Sequence, residues 1–327
     1  MIVRGATPPF IESYSGTAAL SESVLVLSTN GFVGLAVTQA LAQQGHHVIA
    51  ISRKSIALNL ANVECLAGEL TEAEHFMPLL KRSRAVIHAA SRSTPGSSAG
   101  KPMAELQYNL RPTLGLVEAL QQFPETNLLY LSSGGSLYTT RRSELVTEGS
   151  LIDPRSYHGA GKIAAEHFIG AWCNQYGGSA TILRPSNIYG PGQHEGTGFG
   201  IIPTGLGKIS RGETLHVWGD GTAIRDYLHI TDFVALCIST LTEPMPSGAH
   251  VFNASSGIGV SLNELFGVME AITGRKLQRS YETNRPVDAP RVVIGAGLAH
   301  ERFGWTVSTS LHEGISNTWE WFNTTRQ

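Results

Sequence analysis

Val24-Leu25-Val26-Leu27-Ser28-Thr29-Asn30-Gly31-Phe32-Val33-Gly34 decides how this chain folds. The apolar run at 24–27 has strand length, and over 32–44 the pattern turns helical, with Val33, Val37, Ala40 and Leu41 on one stripe. A strand that runs through a glycine turn into a helix aims the helix's free N–H groups at a dinucleotide pyrophosphate. The contacts predicted at this turn are Ser28, Asn30, Gly31, Phe32, Val33 and Gly34. The spacing expected is Gly-x-x-Gly-x-x-Gly, and Ser28 stands where the first glycine would be. A Cβ at that point costs the turn freedom.

Outward from this unit, short apolar runs continue to alternate with helical stretches. Strands are predicted at 48–51, 85–88, 127–131 and 180–183, with helices from about Asn109 and from about His158. This alternation predicts an α/β fold with a doubly wound parallel sheet covered on both faces. At the end of the second strand, Ser52-Arg53-Lys54 replaces the acid that would bind a ribose 2′-hydroxyl. A small hydroxyl beside two cations suits a 2′-phosphate, so NAD(P) is expected with a lean to NADP(H). A solvated basic turn would read the same way.

The chain has 327 residues, 42% of them hydrophobic, which suits one two-lobed unit with a real core. A formal charge of −2 with both signs scattered gives no basic stripe for a nucleic acid polymer and no polybasic membrane patch. Cys65, Cys173 and Cys237 are odd in number and far apart, and they read as small buried hydrophobes. With no signal peptide and no apolar run of about 18 residues, a reducing, cytoplasmic setting is expected. No metal site is predicted. Residues 1–22 are polar, carry Pro8-Pro9 and lack a clear period, so they read as an N-terminal extension.

A set of motifs follows in order along the chain. Gly68-Glu69-Leu70 and Val86-Ile87-His88-Ala89-Ala90 come first, then Asn109-Leu110 before a long helix. Next are Leu131-Ser132-Ser133-Gly134-Gly135-Ser136-Leu137-Tyr138 and Leu183-Arg184-Pro185-Ser186-Asn187-Ile188-Tyr189-Gly190-Pro191-Gly192-Gln193. Trp218-Gly219-Asp220-Gly221, Arg225-Asp226-Tyr227 and Arg285-Pro286-Val287-Asp288 complete the series. On these residues the chain resembles an extended short-chain dehydrogenase/reductase of the NAD-dependent epimerase/dehydratase family, close to nucleotide-sugar 4-epimerases. The resemblance runs from about Ser23 to Phe322.

The resemblance implies a Rossmann-type domain over 23–183 plus about 227–255. It also implies a smaller α/β lobe over 184–226 and 256–327 that binds a nucleotide-diphosphate sugar. On the cofactor side it implicates Glu69, Leu70, His88, Ala89, Ala90, Asn109, Ser132 and Pro185, although His88 alone reads as structural. On the substrate side Asn187 would sit near the phosphates, Arg225 and Arg285 would clamp the diphosphate, and Trp218 would flank the base. The helices from about Asn109 and His158 would pack across a two-fold axis into a homodimer.

The active site departs from the family pattern. The family places a catalytic tyrosine four residues before its lysine, and here Ser156-Tyr157-His158-Gly159-Ala160-Gly161-Lys162 puts His158 at that position. At about 100° per residue, positions four apart are about 40° from eclipsed, whereas Tyr157 is roughly 140° away from Lys162. His158 is therefore the expected acid/base, with Lys162 holding the cofactor ribose and lowering a neighbouring acid's pKa. A π-bulge or altered helix start would instead swing Tyr157 inward. The family's serine or threonine hydroxyl position falls on Gly134, and Ser133 or Ser136 would have to replace it. Three readings stay open: an active 4-epimerase using His158, a 4-keto-sugar reductase or dehydratase relative, and a catalytically silent sugar-nucleotide binder.

Overall fold

The computed structural model describes residues 22–138, 145–196, 200–285 and 288–325. Apart from Glu22, the predicted N-terminal extension lies outside the described residues, as do Pro286 and Val287.

The first part of the chain runs β1 (Ser23–Leu27), α1 (Phe32–Gln43), β2 (Val48–Ser52), β3 (Val63–Ala67), α2 (Ala73–Leu80) and β4 (Ser83–His88). Then come α3 (Pro102–Glu105), a π turn (Leu106–Leu110), α4 (Arg111–Leu120), β5 (Asn127–Leu131), α5 (Gly134–Leu137), α6 (Tyr157–Tyr176) and β6 (Ser179–Pro185). The rest is β7 (Asn187–Tyr189), α7 (Ile201–Arg211), β8 (Leu215–Trp218), β9 (Ile224–His229), α8 (Ile230–Thr242) and β10 (Gly248–Ala254). It closes with β11 (Gly259–Ser261), α9 (Leu262–Thr273), β12 (Arg279–Glu282), β13 (Arg291–Val292), α10 (Gly297–Phe303) and α11 (Leu311–Thr324).

Seven parallel strands form the main sheet in the order β10-β6-β5-β4-β1-β2-β3. The order reverses between β1 and β4, which opens a crevice at their carboxyl ends. Side chains alternate across this sheet as the period of two requires. Val24 and Val26 pack with Val37, Leu41 and Phe233 on one face, while Leu25 and Leu27 pack with Phe76, Leu116 and Ile169 on the other. A separate core of Tyr189, Leu206, Tyr227, Phe266 and Ile315 lies among β7, β9, α7, α9 and α11.

Every predicted strand is present, and three elements of the sheet layer were not foreseen. β3 carries a charge, Glu64, near its start, lies at the sheet edge and stays only half-buried, so its apolar run is too short to read as a strand. α2 carries an internal Pro78, and β10 joins the sheet from far along the chain beside β6. The helix expected from about Asn109 starts earlier, at Pro102, because proline at the first helical position costs no hydrogen bond. It reaches Arg111 through the π turn.

Candidate active site

Ser28 sits in the turn after β1 with φ at +75°, alone among the described non-glycine residues in the left-handed region. The backbone thus keeps the conformation a glycine would take and carries the Cβ strain. A Cβ on Gly34 would collide with the Ser28 carbonyl, so strand and helix approach here as closely as backbone allows. Gly31 is the N-cap of α1 and provides no side-chain cap, which leaves the first-turn N–H groups open to an anion. A cleft of about 100 Å³ borders this turn and is lined by Ser28, Asn30, Arg53, Glu69, Leu70 and Ala90, among others. The pyrophosphate-binding chemistry read from the sequence therefore fits the residues present.

Other predicted cofactor contacts also have partners within the protein, and Ser52 and His88 line the same cleft. The buried Ser52 hydroxyl donates to the Lys54 carbonyl at 2.6 Å, so it braces its own turn. Arg53 and Lys54 are exposed, and of the two Arg53 lines the cleft. Phe32, Val33 and Ala89 pack against the sheet core, and Pro185 ends β6 paired with Ala254. Ser132 donates to Glu166, which makes a buried ion pair with Arg184. His88 is buried, bonds Thr113 through Nε2 at 3.1 Å and leaves Nδ1 without a partner. Burial, then the Lys162 charge, push its pKa down to about 3.

α6 is a regular α-helix from its first residue, capped by Ser156, whose Oγ accepts from the Gly159 N–H at 3.1 Å. With no π-bulge at this start, Tyr157 stands 45% exposed, which removes the geometry that would have turned it inward. His158 and Lys162 are each 6% exposed, on the buried face. Lys162 Nζ donates to the Leu131 carbonyl at 2.7 Å and lies 4.9 Å from the Tyr130 ring centroid. Burial brings its pKa down to about 8, against an upward pull from Glu105 and Glu166. Burial and then Lys162 bring His158 down to about 3.

The polypeptide after β4 folds directly onto His158. Ser93 Oγ lies 2.9 Å from His158 Nδ1, and the His158 N–H donates to Ser98 Oγ at 3.1 Å. Asn109 is engaged within the protein. Its Nδ2 donates to Ser93 Oγ at 2.9 Å and to Glu105 Oε1 at 3.0 Å, while its Oδ1 accepts from the Arg92 N–H at 2.7 Å. Ser93, Ser98 and Glu105 escaped the sequence reading. The available signal was a carboxylate on a helix at a position that ends up 5% exposed.

At the end of β5 the missing family hydroxyl has no room to return. A Cβ on Gly134 would lie 2.6 Å from Ile294 Cδ1 and 2.8 Å from the Arg184 carbonyl oxygen. Ser133 caps α5 by position without a side-chain bond. Ser136 Oγ donates to the Ser133 carbonyl at 3.3 Å and lines a cavity with Gly135 and Ser156.

That cavity, about 230 Å³, shares Asn187, Arg225 and Arg285 with a neighbouring one of about 640 Å³ that Trp218 also lines. The four residues picked for the substrate thus come together, from β7, β8, β9 and the segment after β12. Arg285 forks onto Asp288 at 2.8 and 3.0 Å and lies 5.3 Å from the Trp218 ring centroid. Arg225 Nη1 donates to the Ile224 carbonyl at 2.8 Å, and burial lowers its pKa. Asn187 Nδ2 donates to the Asp226 carbonyl at 2.8 Å. Among the described residues there is no His, Cys, Asp or Glu cluster able to hold a metal, and no helix is long and apolar enough to cross a membrane.

The profile described as "NAD dependent epimerase/dehydratase family" matches residues 24–255. The UDP-glucose 4-epimerase of Mycolicibacterium smegmatis is 26% identical over 312 residues, which span 93% of this chain and 99% of that one. The crystal structure of UDP-glucose 4-epimerase with UDP-glucose from Thermotoga maritima superposes with a TM-score of 0.86 at 26% identity, over 93% of this chain and 100% of that one. MoeE5 in complex with UDP-glucuronic acid and NAD gives a TM-score of 0.85 at 27% identity, over 93% and 99%.

Proposed function

Because the chain belongs to the NAD-dependent epimerase/dehydratase family, we propose that it is an NAD(P)-dependent 4-epimerase of a UDP-sugar, with His158 as its acid/base. The observation that carries this reading is the pairing of His158 and Lys162 on the buried face of α6, whose N-cap Ser156 lines a cavity with Asn187, Arg225 and Arg285 that adjoins the one bordered by Trp218. The UDP-sugars bound to the superposable relatives support the substrate class. Residues 23–183 with 227–255 serve as the dinucleotide-binding domain in this reading, and 184–226 with 256–327 as the sugar-nucleotide lobe.

The uncapped start of α1, with Gly31 and Gly34, holds the pyrophosphate, and Arg53 at the cleft rim favours a 2′-phosphate. The bound nicotinamide supplies the hydride acceptor for sugar C4. Lys162 holds the ribose and, as a cation, disfavours a second positive charge on His158. His158 takes the C4 hydroxyl proton as hydride leaves, which yields the 4-keto sugar. Arg225 and Arg285 grip the diphosphate, so the keto sugar turns about its tether and is reduced on its other face. Met103, Leu106, Tyr108 and Phe168 are exposed on the helices that family members pair, which supports a homodimer.

The test is single-turnover nicotinamide absorbance with UDP-glucose and UDP-glucuronic acid. His158→Ala is expected to abolish hydride transfer while both ligands remain bound, His158→Tyr to retain or raise turnover, and Tyr157→Phe to change little. Activity lost in Tyr157→Phe but kept in His158→Ala would overturn the assignment. No turnover by the wild type across a panel of UDP-sugars would favour the silent reading.

A further inference from the structure

We infer that Ser93 and Glu105 are positioning residues for His158. They fix its tautomer with the proton on Nδ1 and form a relay that stores the sugar's proton on the Glu105 carboxylate. The inference rests on the proposed role of His158, but its first observable does not depend on turnover.

Hydrogen-bond accounting leads to this assignment. The Arg92 backbone N–H can only donate, so the Asn109 atom it meets at 2.7 Å is the carbonyl oxygen. The amide nitrogen then faces the other way and donates one proton to Ser93 Oγ and one to Glu105 Oε1. Ser93 Oγ lies 2.5 Å from Glu105 Oε2, and a carboxylate only accepts, so the hydroxyl proton goes there. One lone pair on Ser93 Oγ is taken by Asn109, and the other remains for His158 Nδ1 at 2.9 Å. That nitrogen must therefore carry a hydrogen, which leaves the lone pair on Nε2, the form that can accept a proton.

The surroundings are built for this arrangement. Glu105 is 5% exposed and rests on α6 at Gly161, where a Cβ would lie 2.8 Å from Glu105 Oε1. Any side chain at Gly161 would push the carboxylate off its place. The Ser98 hydroxyl accepts from the His158 N–H and ties the same loop to the helix start.

In the relay the sugar O–H bond breaks as Nε2–H forms. The Nδ1 proton passes to Ser93 Oγ, and the Ser93 hydroxyl proton passes to Glu105 Oε2. The net change is one proton moved from sugar to carboxylate, with a neutral imidazole before and after. This suits a buried imidazole beside Lys162, where an imidazolium is costly. The reverse sequence returns the proton when hydride comes back to C4, so an epimerisation closes without exchanging that proton with solvent.

The experiment is 15N NMR of histidine-labelled full-length protein, with the His158 signals assigned by His158→Gln, followed by kinetics with UDP-glucose. The wild type is expected to show protonated Nδ1 and unprotonated Nε2, and Ser93→Ala to lose that preference while Ser93→Thr keeps it. Glu105→Gln is expected to lower kcat about 100-fold with little change in KM. The double variant Glu105→Gln/His158→Ala is expected to be no worse than His158→Ala alone. Thermal melts of each variant separate a folding defect from a lost relay. A wild-type imidazole protonated on Nε2 would overturn the inference, as would unchanged kcat in a folded Glu105→Gln. If the protein turns over no sugar, the tautomer measurement still decides the placement of Ser93 and Glu105, and only the functional reading fails.

Discussion

Ser28 shows how a departure from a motif can keep the motif's geometry. The residue holds φ at +75°, where glycine is at ease, and the Gly34 contact at its carbonyl leaves the turn no alternative path. An L-residue in this region costs roughly 1–2 kcal/mol, partly offset by the extra freedom glycine has in the unfolded chain. Ser28→Gly is therefore expected to stabilise the protein by about 1 kcal/mol. Urea unfolding of both forms measures this, and an unchanged or lowered midpoint would show that the Ser28 side chain contributes more than its strain costs. The same scale explains what the sequence could reveal of α6. The angular spacing from Lys162 was enough to put His158, and not Tyr157, on the buried face of Lys162, because a regular helix follows from local sequence. Glu105 was illegible, because its importance lies in contacts with Ser93 and with Gly161, residues that only the tertiary fold brings to it.

Elements were legible to the extent that their own residues carried the signal. β1, β2, β4, β5 and β6 are apolar runs buried on both faces, so a parallel sheet was readable from them directly. β3 and the Pro102 helix start were hidden, the first by its edge position and the second by the π turn that shifts the helical period. The turn after β2 illustrates a finer limit. Sequence placed both Ser52 and Arg53 at a 2′-phosphate, but the Ser52 hydroxyl is already engaged by the Lys54 carbonyl. The cofactor preference should then reside in Arg53. NADPH is expected to bind about tenfold tighter than NADH, near 1.4 kcal/mol, at the weak end for a charge-assisted bond because Arg53 is exposed. Arg53→Ala should erase the difference and Ser52→Ala should preserve it. Fluorescence titrations that show equal affinities in the wild type would defeat the assignment.

At the scale of the whole molecule, two buried histidines tie the fold to pH. His88 underlies the cofactor cleft and His158 lies at the start of α6, and burial holds both near pKa 3 against 6.5 when unfolded. Their folded values are depressed, so their stabilising contribution is complete above pH 6.5 and is lost as pH falls toward 3. Over that interval the unfolded chain binds protons that the native protein refuses. Between pH 6.5 and 4.5 each histidine removes on the order of 2 kcal/mol, or roughly 4 kcal/mol together, a large share of a typical domain's stability. The carboxylates with lowered values, Glu213, Asp220, Glu264 and Glu270, add to the loss only at the low end of this window, and Asp226, raised by burial, acts in the opposite sense. His229, also lowered by burial, adds in the same direction as His88 and His158. Urea unfolding at pH 7 and pH 4.5 should show this loss, and His88→Asn with His158→Gln should flatten it even if the variant is less stable at pH 7. Equal stability of the wild type at the two pH values would mean that these imidazoles take up protons at pH 4.5 as readily in the folded protein as in the unfolded chain, and that burial does not hold them neutral there.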